Sequence, residues 1–309
     1  MRKTVSIQNT KYTLLVQEEQ DSQYRHSLNR LTKAAFGFTF EQWYQKGCWG
    51  KNCVGYSLLF QGEVVSHVTV SPIRFFVFGQ EKQYTQLGTV TTAKEFRGRG
   101  LSRFLMEYVL ADWAGQSDLI YLFANDSVLG FYPKFGFAPA REYQTLCPMP
   151  QAAQGVLPRK MDMQNPKDQQ LLWQFAEKAV PQYQLAMVNN PQLVLLYACC
   201  FEPFSCAPWL YCLPKLNAIA VAEYTEETLL LYDILAPQPV SVNHVLSALV
   251  RPGISHCALQ WVPLEPSGNG GAAFEVVPYT EEDSTLFLLG KDARLFREQP
   301  LRFPLLSHT

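Results

Sequence analysis

Apolar residues recur with a helical period in the first half of the chain. Counted from residue 101 they fall at i, i+3, i+4, i+7, i+8 and i+12, as Leu101, Phe104, Leu105, Tyr108, Val109 and Trp113. This spacing predicts an amphipathic helix of about three turns. A β-branched run at residues 90–92 precedes it, and the continuous apolar run Leu119–Ala124 follows it. Strand, loop, helix and strand in this order predict a parallel crossover unit.

The rest of the N-terminal half shows further strand and helix patterns. Helical spacing predicts helices over residues 22–35 and 38–44. His67 alternates with valines in a strand pattern, and we interpret it as a satisfied structural residue rather than a base. Together the patterns predict an α/β (α+β) fold with a mixed central sheet flanked by helices. Its other strands are expected at residues 10–17, 54–60, 64–70, 73–78 and 84–92.

Prolines and small residues interrupt the pattern between residues 147 and 158. We therefore expect two domains, residues 1–147 and 159–309. Asn165 and Asn190 are each followed by proline, which predicts two helix starts. A hairpin, a helix and a strand then repeat the order of the first half, at residues 216–224, 228–235, 242–249 and 257–262.

The loop before the amphipathic helix has the chemistry of an anion site. Gly98 and Gly100 allow a close backbone approach, and the following helix directs unpaired N–H groups and a positive dipole end into the loop. Arg97 and Arg99 add guanidinium charges suited to phosphate oxygens. Glycine pairs alone are usually simple turns, and these arginines alone would indicate a solvated turn. The combination predicts a phosphate-binding loop.

The order of residues in this loop resembles motif A of the GNAT acetyltransferase superfamily, [QR]-x-x-G-x-[GA]. Arg97 and Gly100 match the motif, and Ser102 departs from its last position while remaining small. The resemblance implies the GNAT fold, with the strand before the loop splayed from its neighbour and paired with the pantetheine arm of acetyl-CoA. The residues it implies for cofactor binding are Val90, Thr91, Thr92, Arg97, Gly98, Arg99, Gly100, Leu101, Ser102 and Asn125.

A second block supports the same resemblance. Asn125 is followed seven residues later by Tyr132, within the run Phe-Tyr-Pro-Lys-Phe-Gly-Phe at residues 131–137. In the family the Asn contacts the cofactor arm and the Tyr protonates the departing CoA thiolate. Without the first motif, Tyr132 would be interpreted as a packed loop residue and Asn125 as a helix cap.

The second half resembles a degenerate GNAT-like unit. Residues 235–241 occupy the place of its phosphate loop, but Pro237 and Pro239 remove backbone donors there, so this loop is not expected to bind acetyl-CoA. The C-terminal residues are apolar before His308 and Thr309. By analogy with the enhanced-intracellular-survival type of GNAT protein, the Thr309 carboxylate or His308 would lie near Tyr132. A tail docked on the second domain is the alternative.

The resemblance implies an N-acetyltransferase that moves the acetyl group of acetyl-CoA to a primary amine by direct attack. Alternatives are a catalytically weak CoA-binding sensor or scaffold, or transfer of a different acyl group. The amine acceptor is left open, as is the general base, although Glu95 is the nearest acid in sequence to the loop. Candidates for the acceptor pocket, with ordinary packing as the alternative, are Glu41, Trp43, Tyr44 and Trp49.

Composition narrows the class of protein further. A formal net charge of −1 argues against nucleic-acid or membrane binding through bulk charge. The N-terminal residues have no apolar signal-peptide core, and no run is long enough to span a membrane, so a cytoplasmic protein is expected. The eight cysteines lie mostly in apolar surroundings and lack zinc-site spacing, which predicts buried thiols and no metal. The oligomeric state is left open.

Overall fold

The computed structural model describes residues 1–17, 20–50, 52–153, 157–202, 204–264 and 274–308. Its strands are β1 Arg2–Ile7, β2 Thr10–Val16, β3 Val54–Phe60, β4 Glu63–Val77, β5 Gln80–Thr92, β6 Leu119–Ala124, β7 Ala138–Pro139, β8 Glu142–Pro148, β9 Arg159–Lys160, β10 Leu185–Met187, β11 Leu210–Leu213, β12 Ala218–Tyr224, β13 Thr228–Leu235, β14 His256–Leu259, β15 Glu275–Tyr279 and β16 Thr285–Leu289. Its α-helices are α1 Ser22–Phe36, α2 Glu41–Gln45, α3 Leu101–Trp113, α4 Pro166–Lys178, α5 Pro191–Leu195, α6 Val242–Ala248 and α7 Leu295–Glu298.

The described strands form two mixed sheets. The first has the order β1-β2-β3-β4-β5-β6-β16-β7, with β10 paired to β4, and the second has the order β15-β8-β14-β13-β12-β11-β9. Each contains one parallel crossover, β5-α3-β6 in the first sheet and β13-α6-β14 in the second. The predicted repetition of a sheet, helix and strand unit is therefore present.

One local prediction for the first sheet was wrong, and one strand was missed. The patterns at residues 64–70 and 73–78 belong to one strand, β4, which passes through Pro72 without interruption. The two patterns were predicted as separate strands, but strand backbone continues through a proline where its missing N–H is not needed. β1 was not predicted, because its residues are mostly exposed and carry no buried alternating face.

Each of the two predicted domains contributes strands to both sheets. β8 precedes the predicted boundary yet pairs with β14 and β15 of the second sheet. β10 and β16 follow that boundary yet pair with β4 and β6 of the first sheet. The division into 1–147 and 159–309 stays a prediction, and the sheets cannot be separated by cutting the chain once between those ranges.

Three clusters of buried hydrophobic residues pack the helices and the two sheets together. One packs α3 against the first sheet, and another packs α6 against the second. The third is shared between the halves and joins Phe75 of β4, Ile219 of β12 and Phe303 of the C-terminal segment. All eight cysteines fall in the described residues as free thiols, and seven of them are buried, as predicted. Among the described helices none combines the length and apolarity needed to cross a membrane.

Candidate functional site

The first sheet opens between β5 and β6. Within the described residues these strands pair only where Tyr84 to Gln86 face Leu119 to Tyr121, and beyond that point they diverge. On its other side β5 carries a bulge, since Gly88 pairs with Thr69 and Thr91 pairs with His67. Residues 89 and 90 therefore stand outside the β4 register. This is the predicted splayed strand.

The bulge is held by a buried chain of hydrogen bonds. His67 is fully buried, with Nδ1 2.7 Å from Ser57 Oγ and Nε2 2.9 Å from Thr69 Oγ1. Ser57 Oγ lies 3.0 Å from the Tyr24 hydroxyl, and Thr69 Oγ1 is hydrogen-bonded to Thr89 Oγ1. Thr89 has φ +45°, a left-handed conformation that β-branched residues rarely adopt. The chain fixes this strained residue, and both His67 nitrogens are satisfied.

The glycine loop connects β5 to α3. Gly98 and Gly100 have φ values of +77° and +75°, and Gly100 is the N-cap of α3. Within the protein, both positions need glycine for their left-handed backbone, because outside the adjacent residues no heavy atom of the chain comes closer than 3.6 Å to a Cβ built at either residue. Arg97 Nε donates to the Thr92 carbonyl at 3.2 Å, which ties the loop back to β5.

Ser102, the departure from the motif, joins the first turn of α3 to the end of β5. Its Oγ lies 2.6 Å from Thr92 Oγ1, and Thr92 Oγ1 lies 2.8 Å from Ser66 Oγ on β4. Ser66 Oγ also donates to the Thr91 carbonyl at 3.0 Å. A serine at this position therefore adds a cross-link between strand and helix that glycine or alanine could not make.

The Asn125 side chain faces a residue far away in sequence. Its Nδ2 donates to Asp283 Oδ2 at 2.9 Å, and Asp283 Oδ1 accepts from the Asp126 N–H at 2.6 Å. Asp283 precedes β16, so this contact fastens the C-terminal part of the first sheet to the end of β6. The expected contact of Asn125 with the cofactor arm stays a prediction.

Tyr132 follows Asn125 by seven residues and lies in apolar surroundings. It is 5% exposed and packs against the rings of Phe131, Phe137 and Phe287. Burial raises the pKa of Tyr132 to about 12. The phenol therefore keeps its proton at neutral pH and has it available to donate.

A cavity of about 1070 Å³ follows the gap between β5 and β6 and the loop. Arg99 does not line it; its guanidinium lies 4.8 Å from the Phe96 ring centroid and donates to the Glu95 carbonyl. The residues of the sequence prediction that line the cavity are Val90, Thr91, Thr92, Arg97, Gly98, Gly100, Leu101, Ser102, Asn125 and Tyr132.

The C-terminal segment reaches the same cavity. His308 lines it, and its ring stacks on Phe123 with the centroids 3.9 Å apart. Tyr121 donates to the Ser307 carbonyl at 3.0 Å, and the Tyr197 hydroxyl donates to the His308 carbonyl. His308 thus shares the cavity with Tyr132, as the analogy suggested. Thr309 lies outside the described residues, so the role of its carboxylate stays a prediction.

The family model for an acetyltransferase (GNAT) domain matches residues 18–140, which contain the gap, the glycine loop, Asn125 and Tyr132. This part of the chain is a GNAT domain. The resemblance predicted from the two motifs is confirmed. No curated protein sequence matches the chain.

Structures similar to this chain extend the likeness beyond the GNAT domain. A conserved protein of unknown function from Enterococcus faecalis V583 aligns with TM-score 0.55 and 15% identity, over 89% of this chain and 71% of its own. Eis1 from Mycobacterium abscessus aligns with TM-score 0.53 and 14% identity, over 88% and 72%. A GCN5-related N-acetyltransferase from Kribbella flavida aligns with TM-score 0.51 and 16% identity, over 89% and 71%. At such identities the shared property is the fold.

The wall opposite the GNAT loop comes from the second half of the chain. The predicted acceptor residues Trp43 and Trp49 pack instead with Phe40 in the core, and they do not line this cavity. Glu41 lies on the other side of α2, where it accepts from Asn29. His308 was named by the analogy, but the other residues that line the wall were not predicted, because no local spacing connects them: Tyr197, Phe201, Trp209, Tyr232, Tyr279, Glu281 and Arg302.

No metal centre is evident beside the GNAT domain. Among the described residues, three or more His, Cys, Asp or Glu side chains do not come together in an arrangement that could hold a metal ion.

The free energy of unfolding is expected to stay nearly level from pH 7 to 5 and to fall at lower pH. Burial lowers the pKa of His67 and His308 to about 3, so below about pH 6.5 the unfolded chain gains protons that the folded chain does not bind, which destabilises the fold. Burial raises the pKa of Glu142 to about 7 and of Asp233 to about 6, so between pH 7 and about 4 the folded carboxyls are protonated first, which stabilises it.

These opposing effects nearly cancel down to about pH 5. Below about pH 4 the carboxyl contribution is complete, and each histidine then removes about 1.4 kcal/mol per pH unit until the pH approaches its folded pKa. Urea midpoints measured from pH 7 to 3.5 test this. A steady decline beginning at pH 7 would contradict it, because it would mean that Glu142 and Asp233 do not bind protons more tightly in the folded chain.

Proposed function

We propose that this protein is an N-acetyltransferase that transfers the acetyl group of acetyl-CoA to a primary amine by direct attack. The observation that carries the proposal is the continuity of one cavity. It begins at the glycine loop, follows the gap between β5 and β6 past Tyr132, and ends at the aromatic wall of the second half. A long cofactor and a second substrate can therefore meet at Tyr132.

The loop is assigned to the pyrophosphate. Residues 98–102 surround the start of α3, where the first N–H groups have no intrahelical partner and the helix dipole is positive. Arg97 adds a guanidinium next to these donors. Glycine at 98 and 100 keeps Cβ atoms out of the approach to this backbone.

β5 is assigned to the pantetheine arm and the thioester. Its residues 90–92 lie beside the gap, where a strand edge can pair with amide groups of the arm. A backbone N–H of this strand would stabilise the oxyanion that develops on the thioester carbonyl. The Thr69–Thr89 hydrogen bond holds the bulge beside it, so these donors need no reorganisation when the charge develops.

Tyr132 is assigned as the general acid. The neutral amine forms the new C–N bond, the C–S bond breaks, and the phenol donates its proton to the leaving sulfur. The amine itself loses one proton. The candidate for accepting it is the Thr309 carboxylate, as the analogy implies. Burial lowers the pKa of His308 to about 3, so its imidazole is too weak a base for this proton at neutral pH.

Replacing Gly98 with Val is expected to weaken acetyl-CoA binding by at least tenfold. The valine Cβ and methyl groups would occupy the space over the N–H groups at the start of α3, and charge-assisted hydrogen bonds to phosphate are each strong enough to cause a loss of this size. Calorimetric titration of the full chain with acetyl-CoA measures it.

Gly253→Val is the matched control. Gly253 also has a left-handed φ, +86°, is exposed, and has no heavy atom within 4 Å of a built Cβ. Both variants thus carry the same backbone strain, but Gly253 does not line the cavity. Equal weakening in the two variants would mean that strain alone is responsible, and would count against the assignment of the loop.

Release of CoA thiol from acetyl-CoA and a panel of amines tests the activity itself. Turnover on any amine supports the enzyme. Binding of acetyl-CoA without turnover on the panel would favour the sensor or scaffold alternative, and turnover only with longer acyl-CoA esters would favour transfer of a different acyl group. Absence of acetyl-CoA binding would overturn the proposal.

A further inference from the structure

The wall opposite the GNAT loop contains a buried positive charge. Arg302 is 5% exposed, lies between the fully buried Leu301 and Phe303, and lines the cavity. Its guanidinium carbon is 3.3 Å from the centroid of the Tyr279 ring. The flanking residues fix this position, because Leu301 accepts from the Tyr143 N–H and Phe303 donates to Glu142 Oε1.

Arg302 contacts Tyr279 but lacks the carboxylate partner that a buried guanidinium needs. Among the described residues no carboxylate oxygen forms an ion pair with it within 4.0 Å, and its Nη1 is buried without a hydrogen bond. Glu142 lies close enough for the Arg302 charge to lower its pKa, but burial dominates and raises that pKa to about 7. A carboxyl whose pKa is raised in this way is a weaker counter-charge than an ionised one, and a buried charge without a full counter-charge is costly.

An anionic group of a ligand would remove this cost. A guanidinium recognises planar carboxylates through paired N–H donors, and stacking on Tyr279 holds its plane in one orientation. The surroundings suit a ligand with an apolar body, because the rings of Tyr197, Phe201 and Tyr232 line the same wall.

A second charge of opposite sign lies on the same wall. Glu281 lines the cavity and is exposed, and its charge adds to the effect of burial in raising the pKa of Tyr279 beneath Arg302. Asp283, the next acid along the chain, is already hydrogen-bonded by Asn125 and the Asp126 N–H. Glu281 is therefore the carboxylate available to an ammonium group.

We propose that the amine acceptor is an amino acid with an apolar or aromatic side chain, whose carboxylate is bound by Arg302 and whose ammonium group approaches past Glu281. This rests on the proposed N-acetyltransferase function. The reaction joins the amino nitrogen to the acetyl carbon, breaks the C–S bond, and yields an N-acetylamino acid, CoA thiol and one proton. An amino acid acceptor carries a carboxylate charge that simple amines lack.

Matched pairs of ligands test the assignment by direct binding. L-Phenylalanine, L-tyrosine and L-leucine are titrated into the CoA-loaded full chain, each against the amine that lacks only its carboxylate: phenethylamine, tyramine and isoamylamine. The wild type is expected to bind at least one amino acid ten- to a hundredfold more tightly than its amine. Equal or tighter binding of the amines, or binding of no member of the panel, overturns the inference.

Substitution of the arginine tests its role. Arg302→Met is expected to remove the preference by weakening binding of the amino acid while leaving binding of the amine within about threefold, and Arg302→Lys is expected to restore part of it. Arg251→Met is the control, because Arg251 also stacks on a tyrosine, 3.7 Å from the centroid of the Tyr224 ring, but lies outside the cavity.

Two further measurements distinguish a loss of folding, or of acetyl-CoA binding, from a loss of amino acid binding. Urea midpoints of the variants show whether Arg302→Met still folds. If it does not fold, Arg302→Lys is compared with the wild type instead. Acetyl-CoA titration is expected to be unchanged in all three variants, and its absence in the wild type would overturn the proposed function. A preference for amino acids that persists undiminished in Arg302→Met would overturn the assignment of Arg302.

Discussion

Replacing Tyr132 with Phe is expected to lower kcat by about 10²- to 10⁴-fold, with little change in acetyl-CoA affinity. The substitution removes only the hydroxyl, so the packing against Phe131, Phe137 and Phe287 is retained. What is lost is the donor that protonates the departing thiolate. Steady-state thiol release, with calorimetric titration of acetyl-CoA on the same variant, measures both quantities.

Tyr12→Phe is the matched control for this experiment. Tyr12 is 2% exposed, its hydroxyl is buried without a hydrogen-bond partner among the described residues, and it does not line the cavity. Its loss should leave kcat unchanged and the free energy of unfolding unchanged or slightly increased. A Tyr132→Phe variant with kcat within about threefold of the wild type would remove Tyr132 from the mechanism.

Replacing Phe303 with Ala is expected to lower the free energy of unfolding by about 3–5 kcal/mol. Phe303 is fully buried and stacks face to face on Tyr121, with ring centroids 3.9 Å apart and planes at 8°. It also contacts the rings of Phe75 and Phe296. The loss therefore combines a cavity in the shared core with broken aromatic contacts, and urea unfolding monitored by circular dichroism measures it.

Phe78→Ala is the control, because Phe78 is 41% exposed at the end of β4. Its loss should cost less than about 1 kcal/mol. If Phe303→Ala cost no more than Phe78→Ala, the C-terminal segment would not be part of the core of the first sheet. That result would also weaken the placement of Arg302, which is the neighbour of Phe303 in the chain.

The sequence predicted the loop side of the site because its determinants are local. The period of apolar residues in α3, the glycines at 98 and 100 and the runs of β5 and β6 all lie within residues 80–124. Their physical requirements, a buried helix face and a left-handed backbone, are properties of single residues and short spacings. The same logic predicted the crossover from β13 through α6 to β14 in the second half.

The other wall could not be predicted, because its contacts join distant residues. Asn125 and Asp283 are separated by 158 positions, and no spacing links them. The family resemblance made Trp43 and Trp49 candidates for the acceptor pocket, but aromatic residues in a short segment pack equally well into a core. One signal was present, a charge between Leu301 and Phe303 in an apolar run, which is unusual unless the charge is used.

The position of β16 has a consequence for how the protein comes to fold. It lies between β6 and β7 in the sheet, although about 160 residues separate it from β6 in the chain. During synthesis, the first 140 residues emerge from the ribosome with the edge of β6 unpaired, and exposed edges of this kind invite pairing with other chains. In the nascent GNAT domain the edge of β6 therefore stays unpaired until translation has passed residue 289. A chaperone would matter most during this interval.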